Sequence, residues 1–117
     1  MRLIASSALV ALLTGCVGMT ADEIKAVDPV VTRSERSPDE IVGCLKDSFG
    51  TEAAITTLPS GRTLIDFSRD QFFQSRFYYR IDVIPAKSGA TVEARRSGLR
   101  GAFVSDEDIN RTIKVCS

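Results

Sequence analysis

Hydrophobic and polar residues alternate with different periods along the chain, and these periods predict where helices lie. Apolar or small residues recur at helical spacing over Ile41–Ser48 and again over Ile109–Cys116, which predicts an amphipathic helix in each segment. Ser37 and Ser105 stand before these segments and acidic residues follow them, as is typical of helix N-termini. Gly50 suits the left-handed conformation that ends a helix. The chain is therefore expected to have one helix after Ser37 and another after Ser105.

Between the two helices the period changes to two, which is typical of half-buried strands. In the clearest strand, Phe77 and Tyr79 are expected on an apolar face, and Arg80 and Asp82 on the opposite one. In the last strand, Val92 and Ala94 are expected to face opposite to Glu93 and Arg95. We predict an α+β fold, a two-layer sandwich in which a four-stranded antiparallel meander carries both helices on its apolar face. The predicted strands are Ala53–Leu58, Arg62–Phe67, Arg76–Ile84 and Ala90–Arg96.

The start of the chain carries a targeting pattern. Arg2 precedes an apolar run, Leu3–Leu13, which is shorter than the roughly 20 residues that a membrane-spanning helix needs. The residues at its end, Leu13-Thr14-Gly15-Cys16, resemble the lipobox of bacterial lipoproteins. This resemblance implies cleavage before Cys16 and attachment of lipid to Cys16. Val17 stands where an Asp would indicate the inner membrane, so the resemblance implies the outer membrane, with the domain facing the periplasm.

This resemblance sets the expected domain organisation. Residues 1–15 are the predicted lipoprotein signal peptide, and residues 16–36 are the lipidated cysteine and a flexible tether with a reach of about 25 Å. Residues 37–117 form the small α+β domain. If Cys16 carries lipid, Cys44 and Cys116 remain as an even pair in an oxidising compartment, and we predict a disulfide between the two helices. Two free buried thiols are the alternative.

Composition narrows the chemistry. The chain has 15 basic and 15 acidic residues, so its net charge does not favour nucleic acid. It contains no histidine, which excludes Ser-His and Cys-His nucleophile pairs and histidine-ligated metal sites within this chain. We expect no enzymatic activity, cofactor or metal site. The less favoured alternative is a carboxylate-dependent hydrolase built on Asp66 with Asp70 or on Asp106 with Asp108.

Two groups of residues are candidate binding surfaces. Phe72 and Phe73 are adjacent aromatics that cannot both face one core from a strand, so at least one is expected to be available to a partner protein. The second group consists of cations around a glycine-containing loop and could bind anionic groups of lipopolysaccharide or peptidoglycan; its members are Lys87, Arg95, Arg96 and Arg100. The favoured function is a membrane-anchored, non-enzymatic interaction module or accessory subunit, and binding of an anionic envelope ligand is the alternative. The sequence predicts no oligomeric state.

Overall fold

The computed structural model describes residues 19–71, 74–97 and 105–117, and these residues form an antiparallel sheet of five strands with three α-helices. A short 3-10 turn, Gly50–Glu52, follows the second helix. In chain order the elements are α1 (Ala21–Lys25), β1 (Val30–Ser34), α2 (Pro38–Phe49), β2 (Ala54–Thr57), β3 (Thr63–Gln71), β4 (Gln74–Pro85), β5 (Ala90–Arg96) and α3 (Asp106–Cys116).

The sheet has the order β1-β5-β4-β3-β2. Strands β2 to β5 form the predicted meander, in which each strand pairs with the next one in the chain. The prediction of only four strands is wrong, because β1 adds a fifth strand beside β5, with Val30 opposite Ala94 and Ser34 opposite Ala90. As an edge strand, β1 has no regular alternation of buried and exposed residues, so its sequence pattern does not predict a strand.

The segment expected to be a flexible tether also contains α1. The hydroxyl of Thr20 accepts a hydrogen bond from the backbone N–H of Glu23, and the carboxylate of Glu23 accepts one from the N–H of Thr20. This capping box satisfies backbone donors at both residues and stabilises even a five-residue helix. Residues from Thr20 to Ser34 thus belong to the folded domain, and the expected tether is wrong over this range.

The two predicted amphipathic helices, α2 and α3, pack on one face of the sheet. Ser37 and Ser105 cap them as expected, each hydroxyl accepting a hydrogen bond from the backbone N–H three residues ahead. Their buried residues join those of the strands in one hydrophobic core. At its centre Phe67 makes edge-to-face contacts with Phe49 and Tyr79. The helices contribute Ile41, Leu45, Phe49, Ile109, Ile113 and Cys116 to this core.

The predicted disulfide is confirmed. Cys44 on α2 and Cys116 at the end of α3 are bonded, with their Cα atoms 5.6 Å apart. Two hydrogen bonds hold Cys116 and Ser117 against the end of β1. The hydroxyl of Ser34 donates to the backbone carbonyl of Ser117, and the side chain of Arg36 donates to the backbone carbonyl of Cys116. The disulfide and these hydrogen bonds tie the end of α3 to α2 and to the end of β1.

The opposite face of the sheet differs from the prediction in two ways. First, α1 covers part of it: Ile24 is fully buried outside the main core, and α1 contacts β4 and β5. Second, the register shifts at Phe67, so that Tyr79 lies opposite Phe67 but Phe77 lies opposite Ser68. This bulge moves Phe77 to the face that carries Arg80, and the expectation that Phe77 shares the core face with Tyr79 is wrong.

Candidate functional site

The face of the sheet opposite α2 and α3 carries a compact group of charged residues on the three central strands. We call this the charged face; its charged residues are Asp66, Arg80, Asp82, Glu93 and Arg95. In the register of the sheet, Arg80 lies between Asp66 and Arg95, and Asp82 lies opposite Glu93. Side chains of directly opposed residues are within contact distance of each other. Opposite charges therefore alternate along β4 and along β5, whereas like charges face each other between these two strands; Asp66 and Arg80 are the directly opposed pair of opposite charge.

Arg80 and Asp66 form the closest pair of this group. The Nε of Arg80 donates to Oδ1 of Asp66 at 2.6 Å, and its Nη2 donates to Oδ2 at 3.2 Å. Both side chains are largely buried, and the guanidinium lies 4.9 Å from the centre of the Phe77 ring. This geometry fixes the orientation of Arg80 and engages its Nε and Nη2 donors within the protein.

Arg95 holds α1 against the sheet. Its Nε donates to the backbone carbonyl of Val27 at 3.0 Å, just after α1, and its Nη1 reaches both Asp82 and Glu93 at 3.4 Å. The side chain of Arg95 is only 16% exposed. Like Arg80, it is therefore held in place by the protein and positions its neighbours.

Asp82 is the least satisfied member of the charged face. Its side chain is only 8% exposed; Oδ2 meets Arg95 at 3.4 Å and Arg62 at 3.9 Å. Oδ1 is buried and has no hydrogen-bond partner within the described part of the chain. Burial raises the pKa of Asp82, and the positive charges of Arg62 and Arg95 offset only part of this rise. A buried carboxylate oxygen without a donor carries a free-energy penalty, and a bound molecule that supplies a donor relieves it.

A cavity opens above Asp82, and we call it the charged groove. It has a volume of about 430 Å³ and lies between α1 and the β2–β3 connection. Arg62 and Lys25 provide cations at its rim, the first with a side chain 41% exposed and the second an exposed residue. The residues that line the groove are Lys25, Leu58, Arg62, Leu64, Arg80, Asp82 and Arg95.

The predicted anion-binding residues do not come together among the described residues. Arg95 lines the charged groove, whereas Arg96, the next residue of the strand, points to the other face and pairs with Asp106 at 2.9 Å. Lys87 is exposed in the β4–β5 turn, about 20 Å along β5 from Arg96 at 3.3 Å per residue. Arg100 lies outside the described residues.

Other predicted residues fall in different places. Cys16, Phe72 and Phe73 are outside the described residues, the last two between β3 and β4 in the sequence. Asp66 is engaged by Arg80, and Asp70 accepts a hydrogen bond from Ser75. The remaining acidic pair lies in the first turn of α3, where Asp106 pairs with Arg96 and Asp108 with Arg111.

The sequence contained part of the signal for the charged groove. Alternation along β4 and β5 correctly places Arg80, Asp82 and Arg95 on one face. Leu64 joins them through the pairing of β3 with β4, and Lys25 through the packing of α1 on this face. The register that places Leu64 beside Asp82 and the packing of α1 on the sheet have no local pattern in the sequence, so the sequence alone does not predict the groove.

No protein-family model matches this chain, and no curated protein or solved structure matches it either. Within residues 19–71, 74–97 and 105–117, no helix has the length and apolar character needed to cross a membrane. The same residues contain no group of three or more acidic or cysteine side chains arranged to hold a metal ion. The functional argument therefore depends on the residues and geometry of the chain itself.

Proposed function

We propose that this chain is a bacterial envelope lipoprotein, anchored in the outer membrane by lipid on Cys16, whose small domain is a non-enzymatic interaction module or accessory subunit. The observation that carries the proposal is the disulfide between Cys44 and Cys116, because such bonds persist in exported proteins and are rare in the cytosol. The pairing leaves Cys16, at the lipobox position, as the remaining cysteine of the three.

The start of the folded domain supports a close attachment. Met19 exchanges two backbone hydrogen bonds with Phe77, at 3.1 and 2.7 Å, so the chain is fixed to β4 only three residues after Cys16. Three residues span at most about 11 Å. A lipidated Cys16 would thus hold this end of the sheet beside the membrane, in contrast to the long tether that the sequence predicts.

Replacement of Cys16 tests the anchor. The Cys16→Ser variant should lose incorporation of labelled palmitate and move from the membrane to the soluble fraction, because serine cannot accept the thioether-linked lipid. A Cys44→Ser variant is the matched control and should still incorporate palmitate. Absence of label from the wild-type chain in a bacterium that labels its own lipoproteins would refute the proposal.

A protein partner is supported by the exposed edge of the sheet. Val30 and Val31 on β1 are 65% and 51% exposed, and an edge strand presents backbone donors and acceptors that another chain can pair with.

Phe72 and Phe73 remain the partner surface proposed from the sequence. Crosslinking in intact cells should give a discrete product with the wild-type chain and lose it with the Phe72→Ala, Phe73→Ala variant. Val115→Ala, at an exposed valine on α3, is the control.

A second candidate function is the binding of an anionic envelope ligand, such as part of lipopolysaccharide or peptidoglycan. The observation that favours it is the composition of the charged groove, in which four cationic side chains surround a single lining carboxylate, Asp82. Among the cations expected to bind anions, Arg95 lines this groove. The proposed binding position is accordingly the groove rather than the glycine-containing loop.

A further inference from the structure

We infer that the charged groove binds an acidic sugar, in which a phosphate or carboxylate meets Lys25 and Arg62 while a neutral hydroxyl donates to Asp82. This inference deepens the second candidate function and depends on it. Three separate features of the groove define the ligand: rim cations that donate no hydrogen bond among the described residues, a buried acceptor at the floor without a partner among those residues, and two leucines in the lining.

The rim cations are the groups available to an anion. Arg80 and Arg95 already donate to Asp66, Asp82, Glu93 and the Val27 carbonyl. By contrast, the side chains of Lys25 and Arg62 donate no hydrogen bond within the described residues, and the 3.9 Å between Arg62 and Asp82 exceeds hydrogen-bond length. Both can turn toward a ligand, and guanidinium and ammonium groups bind phosphate and carboxylate with charge-assisted hydrogen bonds.

The floor of the groove selects a neutral donor. Oδ1 of Asp82 is buried without a partner among the described residues, so a ligand O–H or N–H there gains a hydrogen bond that the free protein lacks. An ammonium group is disfavoured, because Arg62, Arg80 and Arg95 all lie around this carboxylate. A hydroxyl donates without adding a further positive charge.

The apolar strip and the size of the groove fit a sugar ring. Leu58 and Leu64 are half-buried and line the same cavity, so they offer a surface to the C–H face of a ring. A volume of about 430 Å³ lies within the roughly 300 to 1,000 Å³ of small-molecule pockets. A simple ion bound by the rim cations would make no contact with either leucine or with Asp82.

Binding can be measured on the full chain purified in mild detergent, by calorimetry and by chemical shifts of backbone amides. The probes are glucose 6-phosphate and glucuronate. Inorganic phosphate, which lacks the sugar ring, and glucose, which lacks the anionic group, are the comparison compounds. We expect glucose 6-phosphate and glucuronate to bind roughly tenfold more tightly than inorganic phosphate or glucose, since each lost charge-assisted hydrogen bond reduces affinity by about that factor. The shifts should centre on the groove.

A charge-matched pair of variants locates the anion. Lys25→Gln with Arg62→Gln should weaken both acidic sugars at least about tenfold. Lys46→Gln with Lys114→Gln removes the same charge from exposed positions on α2 and α3 and should bind like the wild-type chain. If the control pair loses affinity equally, general electrostatic attraction explains the binding and the inference is wrong.

Asp82→Asn separates recognition of the hydroxyl from a general loss of structure. Removing this negative charge should leave inorganic phosphate binding unchanged or tighter, while the preference for glucose 6-phosphate over phosphate falls at least about threefold, because a charge-assisted hydrogen bond is lost. Misfolding of this variant would weaken the binding of both ligands together. In that case the comparison of the four probes on the wild-type chain tests the inference without this variant.

The outcomes separate this inference from the function on which it depends. If inorganic phosphate binds in the groove as tightly as glucose 6-phosphate, the groove is an anion site without selectivity for a sugar; the second candidate function survives and the inference fails. If neither acidic sugar nor phosphate binds, both fail. Labelling of Cys16 is independent of all these results.

Discussion

Arg80 and Asp66 face each other across β4 and β3 and share two hydrogen bonds, of 2.6 and 3.2 Å, at side chains only 8% and 13% exposed. They form a largely buried ion pair beneath the charged groove. Such pairs add little net stability compared with apolar residues of the same size, but removal of one partner leaves an uncompensated charge. The pair therefore holds Arg80 in place in the lining of the groove, and loss of either partner is expected to destabilise the fold.

Substitution of Asp66 tests this relationship. Asp66→Ala should lower the free energy of unfolding by about 3 kcal/mol, because Arg80 then remains buried without its carboxylate. Urea denaturation followed by circular dichroism measures the change. Asp70→Ala, at an exposed residue of the same strand, should change stability by less than about 0.5 kcal/mol.

Removal of both charges gives the complementary result. Asp66→Leu combined with Arg80→Met should recover most of the stability that Asp66→Ala loses, since no buried charge remains. An equal loss in the double variant and in Asp66→Ala would show that packing, and not the unpaired charge of Arg80, accounts for the destabilisation.

The disulfide should supply much of the stability of this small domain. Cys44 and Cys116 are 72 residues apart in the sequence, and closure of a loop of this length removes unfolded-state entropy worth about 4 kcal/mol. Cys44→Ser combined with Cys116→Ser should thus lower the free energy of unfolding by about that amount in urea denaturation. Cys16→Ser is the matched cysteine replacement and should leave it unchanged. Equal stability of the double variant and the wild-type chain would contradict the entropic argument.

The elements that could be predicted are those specified by local sequence. Ser37 and Ser105 identify the starts of α2 and α3 because their hydroxyls cap the adjacent backbone. Helical spacing places Cys44 and Cys116 on packed faces, and their disulfide is present. Strict alternation in β5 correctly separates Val92 and the other core residues from the charged face.

The elements that could not be predicted depend on contacts between distant parts of the chain. Strand β1 exists because its backbone pairs with β5, and its five residues lack the alternation that identifies the longer strands. The bulge that reverses Phe77 arises from the pairing of β3 with β4. The charged groove needs α1 on one side and β3 on the other, so neither its cavity nor the burial of Asp82 has a local signal.

Substitution of alanine at two glycines, Gly89 and Gly43, should change the free energy of unfolding in opposite directions. Gly89 has φ +81°, and a Cβ there would overlap the backbone of Ser34 and Glu35, so Gly89→Ala should destabilise the domain by more than about 1 kcal/mol. Gly43 lies within α2 with open space around its Cβ position, and Gly43→Ala should stabilise by roughly 0.5 to 1 kcal/mol. Thermal or urea denaturation of both variants checks this pair. A Gly89→Ala variant as stable as the wild-type chain would contradict the close approach of Gly89 to the end of β1, and a destabilised Gly43→Ala variant would contradict the open space at Gly43.

Asp82 should give the domain a characteristic dependence of stability on pH. Burial raises the pKa of Asp82 in the folded protein above its ordinary value of 3.8, so the folded state holds this proton more tightly than the unfolded state. The resulting contribution to stability is fully present below the unfolded pKa and is lost as the pH rises through the folded pKa. Asp82→Asn does not titrate. The free energy of unfolding of the wild-type chain minus that of Asp82→Asn should therefore decrease from about pH 3 to about pH 7 in urea denaturation. An increase over the same range would mean that Arg62 and Arg95 outweigh burial, and that the carboxylate of Asp82 is already satisfied in the empty groove.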